Sequence, residues 1–269
     1  MTTAVAAPFR FFSLQVVRTR QLGPSMVRVT FSGPDLHAFH SDGRDQSLSL
    51  FLPHPGQTEP RVPLELGDGW WQGWRELPDD VRAVMRSYTL RSLRRNPDEI
   101  DIDFVLHTPT GPASRWASQA GPGDRVLLLG PAIADNRAIR FRPPEDTGLV
   151  VIWGDETAVP AVSAILESLP AGIRARVWLE VRDAGGIQDL MSEADAEITW
   201  LVREDGLDAI RATRLPGAER PYVWIAGESG QVKALRRHFV GERGIDRRRV
   251  TFVGYWRHGM TEEQLRAAE

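Results

Sequence analysis

The chain has 269 residues, 42% hydrophobic and 26% charged, enough for two domains with a core each and unlike a disordered or membrane-embedded chain. Its 33 basic and 36 acidic side chains leave a net charge of −3, so no basic field invites nucleic acid. Cysteine is absent, which excludes disulfides, thiolate nucleophiles and Cys-ligated zinc or iron–sulfur clusters, and fits a reducing compartment.

Met1 to Ala7 is small and uncharged and Arg10 soon interrupts the apolar run, unlike a signal peptide. The longest apolar runs, such as Gly148 to Trp153, are strand-sized, so the expectation is a cytoplasmic protein that does not engage a membrane. Strands are predicted over Phe9–Thr19, Met26–Ser32, Gln46–Leu52, Ser87–Leu90, Ile100–His107 and Arg125–Leu129, separated by turns such as Gly33-Pro34-Asp35 and Gly121-Pro122-Gly123-Asp124. Roughly six short strands at this spacing predict an antiparallel barrel or sandwich. His37 and His40 resemble a metal pair but read as loop residues with no third ligand. Trp70, Trp71 and Trp74, in the Gly-rich connection Gly69–Trp74, read as a plug for the barrel, with an apolar lid as the rival.

Two segments of this half carry chemistry. In Arg86-Ser87-Tyr88-Thr89-Leu90-Arg91, strand alternation places Arg86 and Tyr88 on one face and Thr89 on the other. A cation for phosphate, an aromatic plane and a small hydroxyl suit a flat ring bearing a diphosphate. In His107-Thr108-Pro109-Thr110-Gly111-Pro112-Ala113-Ser114, a strand ends, turns and starts a helix, predicted over Ser114–Gln119, whose free N–H groups suit an anion. Each alone reads more simply as an ordinary strand or a helix cap. Together they point to a flavin nucleotide.

Phe141 to Asp146, with Pro143 and Pro144, reads as a linker. Beyond it, strands at Leu149–Trp153, Ala175–Val181, Ile198–Val202, Tyr222–Ala226 and Val250–Gly254 alternate with helices at Ala158–Leu169 and Gly230–Val240. This rhythm predicts a parallel, doubly wound sheet, whose ligands lie at the C-terminal strand ends. Three segments fall there: Gly154-Asp155-Glu156-Thr157, Ala226-Gly227-Glu228-Ser229 and Gly254-Tyr255-Trp256-Arg257. The first is not Gly-x-Gly-x-x-Gly, and an acid-capped helix is its simpler reading. Arg247-Arg248-Arg249 reads as a solvated rim.

Arg86-x-Tyr88-Thr89-x-Arg91, His107-x-x-x-Gly111-Pro112-Ala113-Ser114-x-Trp116-Ala117, Gly154-Asp155-Glu156-Thr157-Ala158-x-Pro160-Ala161, Trp224-x-Ala226-Gly227-Glu228 and Gly254-Tyr255-Trp256-Arg257-x-Gly259 occur in this order. The chain thereby resembles the siderophore-interacting protein family, FAD-dependent ferric-siderophore reductases on the ferredoxin-reductase-like fold, from about Phe9 to Gly259. The resemblance implies a flavin-binding β-barrel over 1–142 and an NAD(P)H-binding α/β domain over 143–269. It implies that Arg86, Ser87, Tyr88, Thr89 and Arg91 bind FAD, with Tyr88 stacked on the ring and Thr89 at its N5 edge. Val105, Leu106 and His107 would line the flavin, and Gly111, Pro112, Ala113 and Ser114 would hold its diphosphate. Gly154, Asp155, Glu156, Thr157, Gly227, Glu228 and Ser229 would border the donor cleft. Tyr255 and Trp256 would face the flavin as catalytic residues with Thr89, and Arg257 would meet the substrate. The implied reaction takes hydride from NADH or NADPH to FAD and single electrons on to the Fe(III) of a siderophore, releasing weakly held Fe(II). Another acceptor, a carrier such as ferredoxin as partner, or a non-catalytic siderophore binder are the alternatives. One departure stands out: Ser49 occupies a strand position where the family often has lysine.

Overall fold

The computed structural model describes residues 7–107, 110–215, 220–261 and 264. They form two compact units. Unit 1 comprises Met1–Gln21, Ser25–Asp42 and Gln46–Ala138, and unit 2 comprises Leu22–Pro24, Gly43–Asp45 and Ile139–Glu269.

Unit 1 is one antiparallel sheet of β1 (Phe9–Gly23), β2 (Met26–Ser32), β3 (Ser47–Leu52), β4 (Val84–Thr89), β5 (Ser92–Arg94), β6 (Glu99–Val105) and β7 (Arg125–Pro131), in the order β4-β3-β7-β1-β2-β6-β5. The two strands at the ends of that order, β4 and β5, are joined in the chain by Leu90 and Arg91 alone, so the sheet must curl round on itself. The Arg91 N–H closes the ring by donating to the Asp101 carbonyl of β6 at 2.9 Å. The interior follows from period-two alternation. Phe12, Leu14 and Val16 of β1, Val27, Val29 and Phe31 of β2, Leu48, Leu50 and Leu52 of β3, and Ile100, Ile102 and Phe104 of β6 form one buried cluster. On β6 the intervening Glu99, Asp101 and Asp103 face outward and pair with Arg18, Arg94 and Arg28 at 2.6, 2.5 and 2.6 Å.

One expectation needs correction here. The segment at Gly69–Trp74 is not a loop that plugs the barrel. It forms α1 (Trp70–Glu76), which covers the outer face of the sheet: Trp74 and Trp70 pack with Phe51, Met85 and Leu127, side chains of the opposite parity from the barrel interior. The strand β5 was also unforeseen, three residues being too few to show a period. The expected helix near Ser114 is α2 (Pro112–Gln119). His37 lies in a turn, its Nδ1 3.2 Å from the Pro34 carbonyl.

Unit 2 contains a parallel sheet of β8 (Leu149–Gly154), β9 (Arg174–Val181), β10 (Asp195–Val202), β11 (Pro221–Glu228) and β12 (Val250–Trp256), ordered β10-β9-β8-β11-β12. Every residue of β8 is buried, as befits a central strand covered on both faces. Helices α3 (Val159–Ser168), α4 (Gly206–Ala212) and α5 (Ser229–Arg237) follow β8, β10 and β11. The strand order reverses between β8 and β11, which is where a doubly wound sheet opens a crevice for ligands. The helix α4 was not expected, and Phe141–Asp146 is more than a slack linker. Asp45 Oδ1 accepts from the Arg140 and Phe141 N–H groups at 3.0 and 2.9 Å, its Oδ2 accepts from Trp224 Nε1 at 2.9 Å, and Phe141 is 2% exposed. Arg249 is likewise no solvated rim: it donates to Asp146 at 2.8 Å, and to the Pro221 and Arg220 carbonyls. Among the described residues no helix is long and apolar enough to cross a membrane.

Candidate functional site

In unit 1 the strand β4 sorts its side chains as alternation requires. Val84, Tyr88 and Leu90 lean on the barrel cluster and Met85 belongs to the outer one, so Arg86 shares the inner face with Tyr88. The Tyr88 ring is half-buried, its centroid 4.4 Å from that of Phe104 at a 49° tilt. The Arg86 Nη1 donates to the Met85 carbonyl at 2.7 Å. On the other face, Ser47 stands opposite Thr89 and Ser49 opposite Ser87, so four hydroxyls cluster across β3 and β4. Thr89 is 8% exposed whereas Ser87 is exposed. Ser49, expected as the departure, therefore lies in a neutral, donor-rich patch.

The strand β6 ends at Val105, the Leu106 N–H donates to the Ser25 carbonyl at 2.7 Å, and the exposed His107 donates its N–H to Ser114 Oγ at 3.2 Å. That bond turns Ser114 back toward the strand, joining the end of β6 to the start of α2. Gly111, the N-cap, is extended with φ −73° and ψ 170°, and no side chain caps the helix. A Cβ added at Gly111 would stand 3.3 Å from His107 Cε1. Thr108 and Pro109 lie outside the described residues. Beside the helix start opens a cavity of about 840 Å³, lined among others by Leu52, His54, Val84, Pro112, Arg115 and Trp116. FAD fits these residues: an uncapped helix start with glycine at its edge, and a cation and an aromatic ring on one face of β4; the cavity meets this set at Pro112.

In unit 2 the strand ends are laced together by one carboxylate. Asp155, just past β8, accepts from the Thr157 N–H and Thr157 Oγ1 at 2.9 and 2.5 Å, from the Glu228 N–H at 2.8 Å and from Trp256 Nε1 at 2.7 Å. Burial raises its pKa against the opposing pull of those four donors. The approach requires Gly227, whose φ is +145° and where a Cβ would lie 2.6 Å from the Asp155 carboxylate. Ser229 Oγ donates to the Trp256 carbonyl at 2.9 Å, and Gly254 leaves room for it. Glu228 caps α5, accepting from the Gly230 and Gln231 N–H groups at 2.5 and 2.9 Å. Glu228 thus caps α5, and Asp155 caps the 3-10 turn Glu156–Ala158 that leads into α3, so acids hold both chain turns at these strand ends; Gly154, Asp155, Thr157, Gly227, Glu228 and Trp256 form one scaffold. Glu156 is buried and Tyr255 is half-buried. Arg257 is exposed beyond β12, and its carbonyl accepts from the Met260 N–H at 3.1 Å. Among the described residues no three His, Asp or Glu side chains gather as a metal-binding group. Sequence reasoning missed how Asp155 binds Glu228 and Trp256. Those partners lie 73 and 101 positions away in the chain, and no local pattern joins them.

Comparison with known proteins agrees with this architecture. Residues 15–135 match the siderophore-interacting FAD-binding domain, and residues 148–259 match the siderophore-interacting protein model. The ferric vibriobactin reductase ViuB of Vibrio cholerae is 32% identical over 257 residues, covering 93% of this chain and 90% of that protein. The NADPH-dependent ferric-chelate reductase of Escherichia coli is 33% identical, covering 92% of this chain and 93% of that one. The solved siderophore-interacting protein SipS of Aeromonas hydrophila superposes with a TM-score of 0.77 at 32% identity, covering 97% and 96% of the two chains. The ferredoxin-reductase-like fold implied by the motifs is present. On these matches the chain belongs to the siderophore-interacting protein family.

Proposed function

We propose that this protein is an NAD(P)H-dependent ferric-siderophore reductase carrying FAD. The observation that carries the reading is unit 1's combination of Arg86 and Tyr88 on one strand face with the uncapped start of α2. FAD, when bound, supplies the conversion of a two-electron donor into single electrons for Fe(III). The relatives named as reductases of ferric vibriobactin and ferric chelate support the substrate class, and the NADPH dependence in one such name supports the donor.

Arg86 offers a cation to the diphosphate and Tyr88 an aromatic plane to the ring. Backbone N–H groups of Ala113 and Ser114 face an anion from the helix start. Residues 1–142 serve as the flavin domain and 143–269 as the donor domain, in which Asp155 holds Trp256 and the start of β11's loop in fixed positions. No side chain needs to give the substrate a proton, because reduction alone loosens hydroxamate or catecholate oxygens from iron. Arg257 is the substrate-facing cation: it is exposed, and no carboxylate pairs with it among the described residues. The reaction belongs in the cytoplasm, where the nicotinamide donor and reducing conditions coincide.

The test is spectroscopic. Purified protein should be yellow, lose its flavin absorbance anaerobically with NADPH or NADH, and regain it when a ferric siderophore is added, with Fe(II) appearing in a ferrous trap. Flavin that is bleached by donor but not reoxidised by any ferric chelate would refute the substrate, and flavin untouched by both nucleotides would refute the donor.

A further inference from the structure

The parallel sheet of unit 2 has two edges, β10 on one side and β12 on the other, and their surroundings differ in charge. From Asp183 to Asp208, the stretch that holds β10, the chain has eight acidic side chains and one arginine. From Ser229 to Val250, the stretch that leads through α5 into β12, it has seven basic side chains and two acids. The overall charge of −3 conceals this separation.

On the basic side, Lys233, Arg236 and Arg237 stand three and four positions apart and so share one face of α5. All three are exposed, as are Arg247 and Arg248 just ahead of β12. None of the five forms an ion pair among the described residues, and the acids around them are engaged. Glu242 accepts from Arg211 at 2.8 Å and lies 2.6 Å from His238 Nδ1, Asp246 accepts from the Arg248 N–H at 2.9 Å, and Glu228 caps α5. Arg236 and Arg237 suit the dipole of the helix whose last turn they occupy, but Lys233, Arg247 and Arg248 lie outside that turn.

Arg236 ties this stripe to the sheet edge. Its guanidinium lies 4.5 Å from the ring centroid of Phe252, which is 42% exposed in the middle of β12. Sheet edges are commonly blunted by a charged residue or a proline, and β12 has neither from Val250 to Trp256. Its ladder with β11 runs regularly as far as Gly254 and shifts register beyond it. Among the described residues the backbone of Thr251 to Gly254 bonds only within that ladder, which leaves its outward N–H and C=O groups for another strand.

We propose that the outer edge of β12, with the cations of α5 beside it, docks an acidic polypeptide segment that joins the sheet as an added strand. Main-chain bonds would set the register of such a strand, and carboxylates at alternate positions would meet Lys233, Arg236 and Arg237. A lipid surface answers less of the site, since it leaves the strand edge unpaired and gains a single exposed ring. The acidic edge of a second copy is partly spent, Glu197 on Arg176 at 3.1 Å and Asp205 on the start of α4.

The experiment is fluorescence anisotropy of a labelled short peptide, glutamate alternating with threonine, titrated with the FAD-loaded full chain. Binding should saturate and weaken as salt rises. The same peptide N-methylated at every backbone amide keeps its charge and loses its donors, and should bind about ten-fold more weakly or worse. Arg236→Glu combined with Arg237→Glu should also weaken binding about ten-fold or more, as like charges set face to face would. Arg75→Glu, on α1 of unit 1, should leave it unchanged, with circular dichroism and flavin content retained in both variants. Absence of saturable binding, equal binding of the methylated peptide, or indifference to the paired substitution overturns the proposal. So does sedimentation with vesicles of phosphatidylglycerol and phosphatidylcholine that depends on Arg236 and Arg237, which would assign the face to a membrane. Concentration-dependent self-association abolished by the same pair would assign it to another copy and overturn it equally.

Discussion

Tyr88 serves two surroundings at once. Its ring touches Phe104 within the barrel cluster, and its half-exposed side remains for a flat ligand. Tyr88→Ala should therefore lower FAD retention, losing a stacking contribution on the order of 1 kcal/mol beyond buried area, and Tyr88→Phe should restore it. The flavin-to-protein absorbance ratio after gel filtration reads the result, and full flavin content in the alanine variant would contradict the assignment. Arg257 is the opposite kind of residue, exposed and acting at a distance. Arg257→Glu should lower kcat/KM for an anionic ferric siderophore, barely alter a neutral one, and show a gap that narrows with salt. Equal losses for both substrates would place siderophore recognition elsewhere. At this scale the sequence was readable where geometry is local, as in the strand face that Arg86 and Tyr88 share. It was not where a partner is distant: Asp155 looks like a cap in the chain, and only folding shows it holding Trp256.

At the scale of elements, α2 separates two explanations of one motif. If Gly111–Ser114 is only a helix start, an acid there is neutral or stabilising. If it holds a diphosphate, the same acid repels it. Ser114→Asp should leave the apoprotein's thermal midpoint within a few degrees while weakening FAD binding, measured by titrating flavin fluorescence; unaltered affinity would remove the anion site. The alternating strands β1, β2, β3 and β6 were legible because one face packs an apolar core and the other is mostly polar. Helix α1 was not, since Gly69 and Gly73 flank and interrupt its tryptophans like loop residues, and what fixes it is Phe51, Met85 and Leu127 on a sheet face that no local pattern reveals. The seven residues of α4 offered less than two turns of periodicity, though Asp205 was a readable cap.

Part of the molecule's acid response resides in the outward ladder of β6. Burial by itself would raise the pKa of Asp101, but hydrogen bonds from Arg94, Thr30 and Ser92 outweigh it and hold the group well below the usual carboxylate range. Glu99 is lowered too, chiefly by Arg18. Folded pKa values below the unfolded ones mean a contribution that is complete above about pH 4 and drains away as pH falls toward the folded values. Acid unfolding should thus begin below about pH 4, and Asp101→Asn should cost about 2 kcal/mol at pH 7 with a smaller difference from the parent in acid. Urea unfolding at the two pH values checks both, and a difference that grows in acid would reverse the sign.

The strand order also carries a temporal meaning. Before β7 exists, β1 with β2, β6 and β5 makes one half-sheet and β3 with β4 another, and β7 alone bonds β1 to β3. Its residues are the last of the barrel to leave a ribosome. A nascent chain ending before Arg125 therefore carries two unpaired strand edges in one polypeptide, each a template for mispairing. Val126, Leu127 and Leu128 act as a keystone: they seal both edges in one step and commit the barrel before the second sheet has been synthesised.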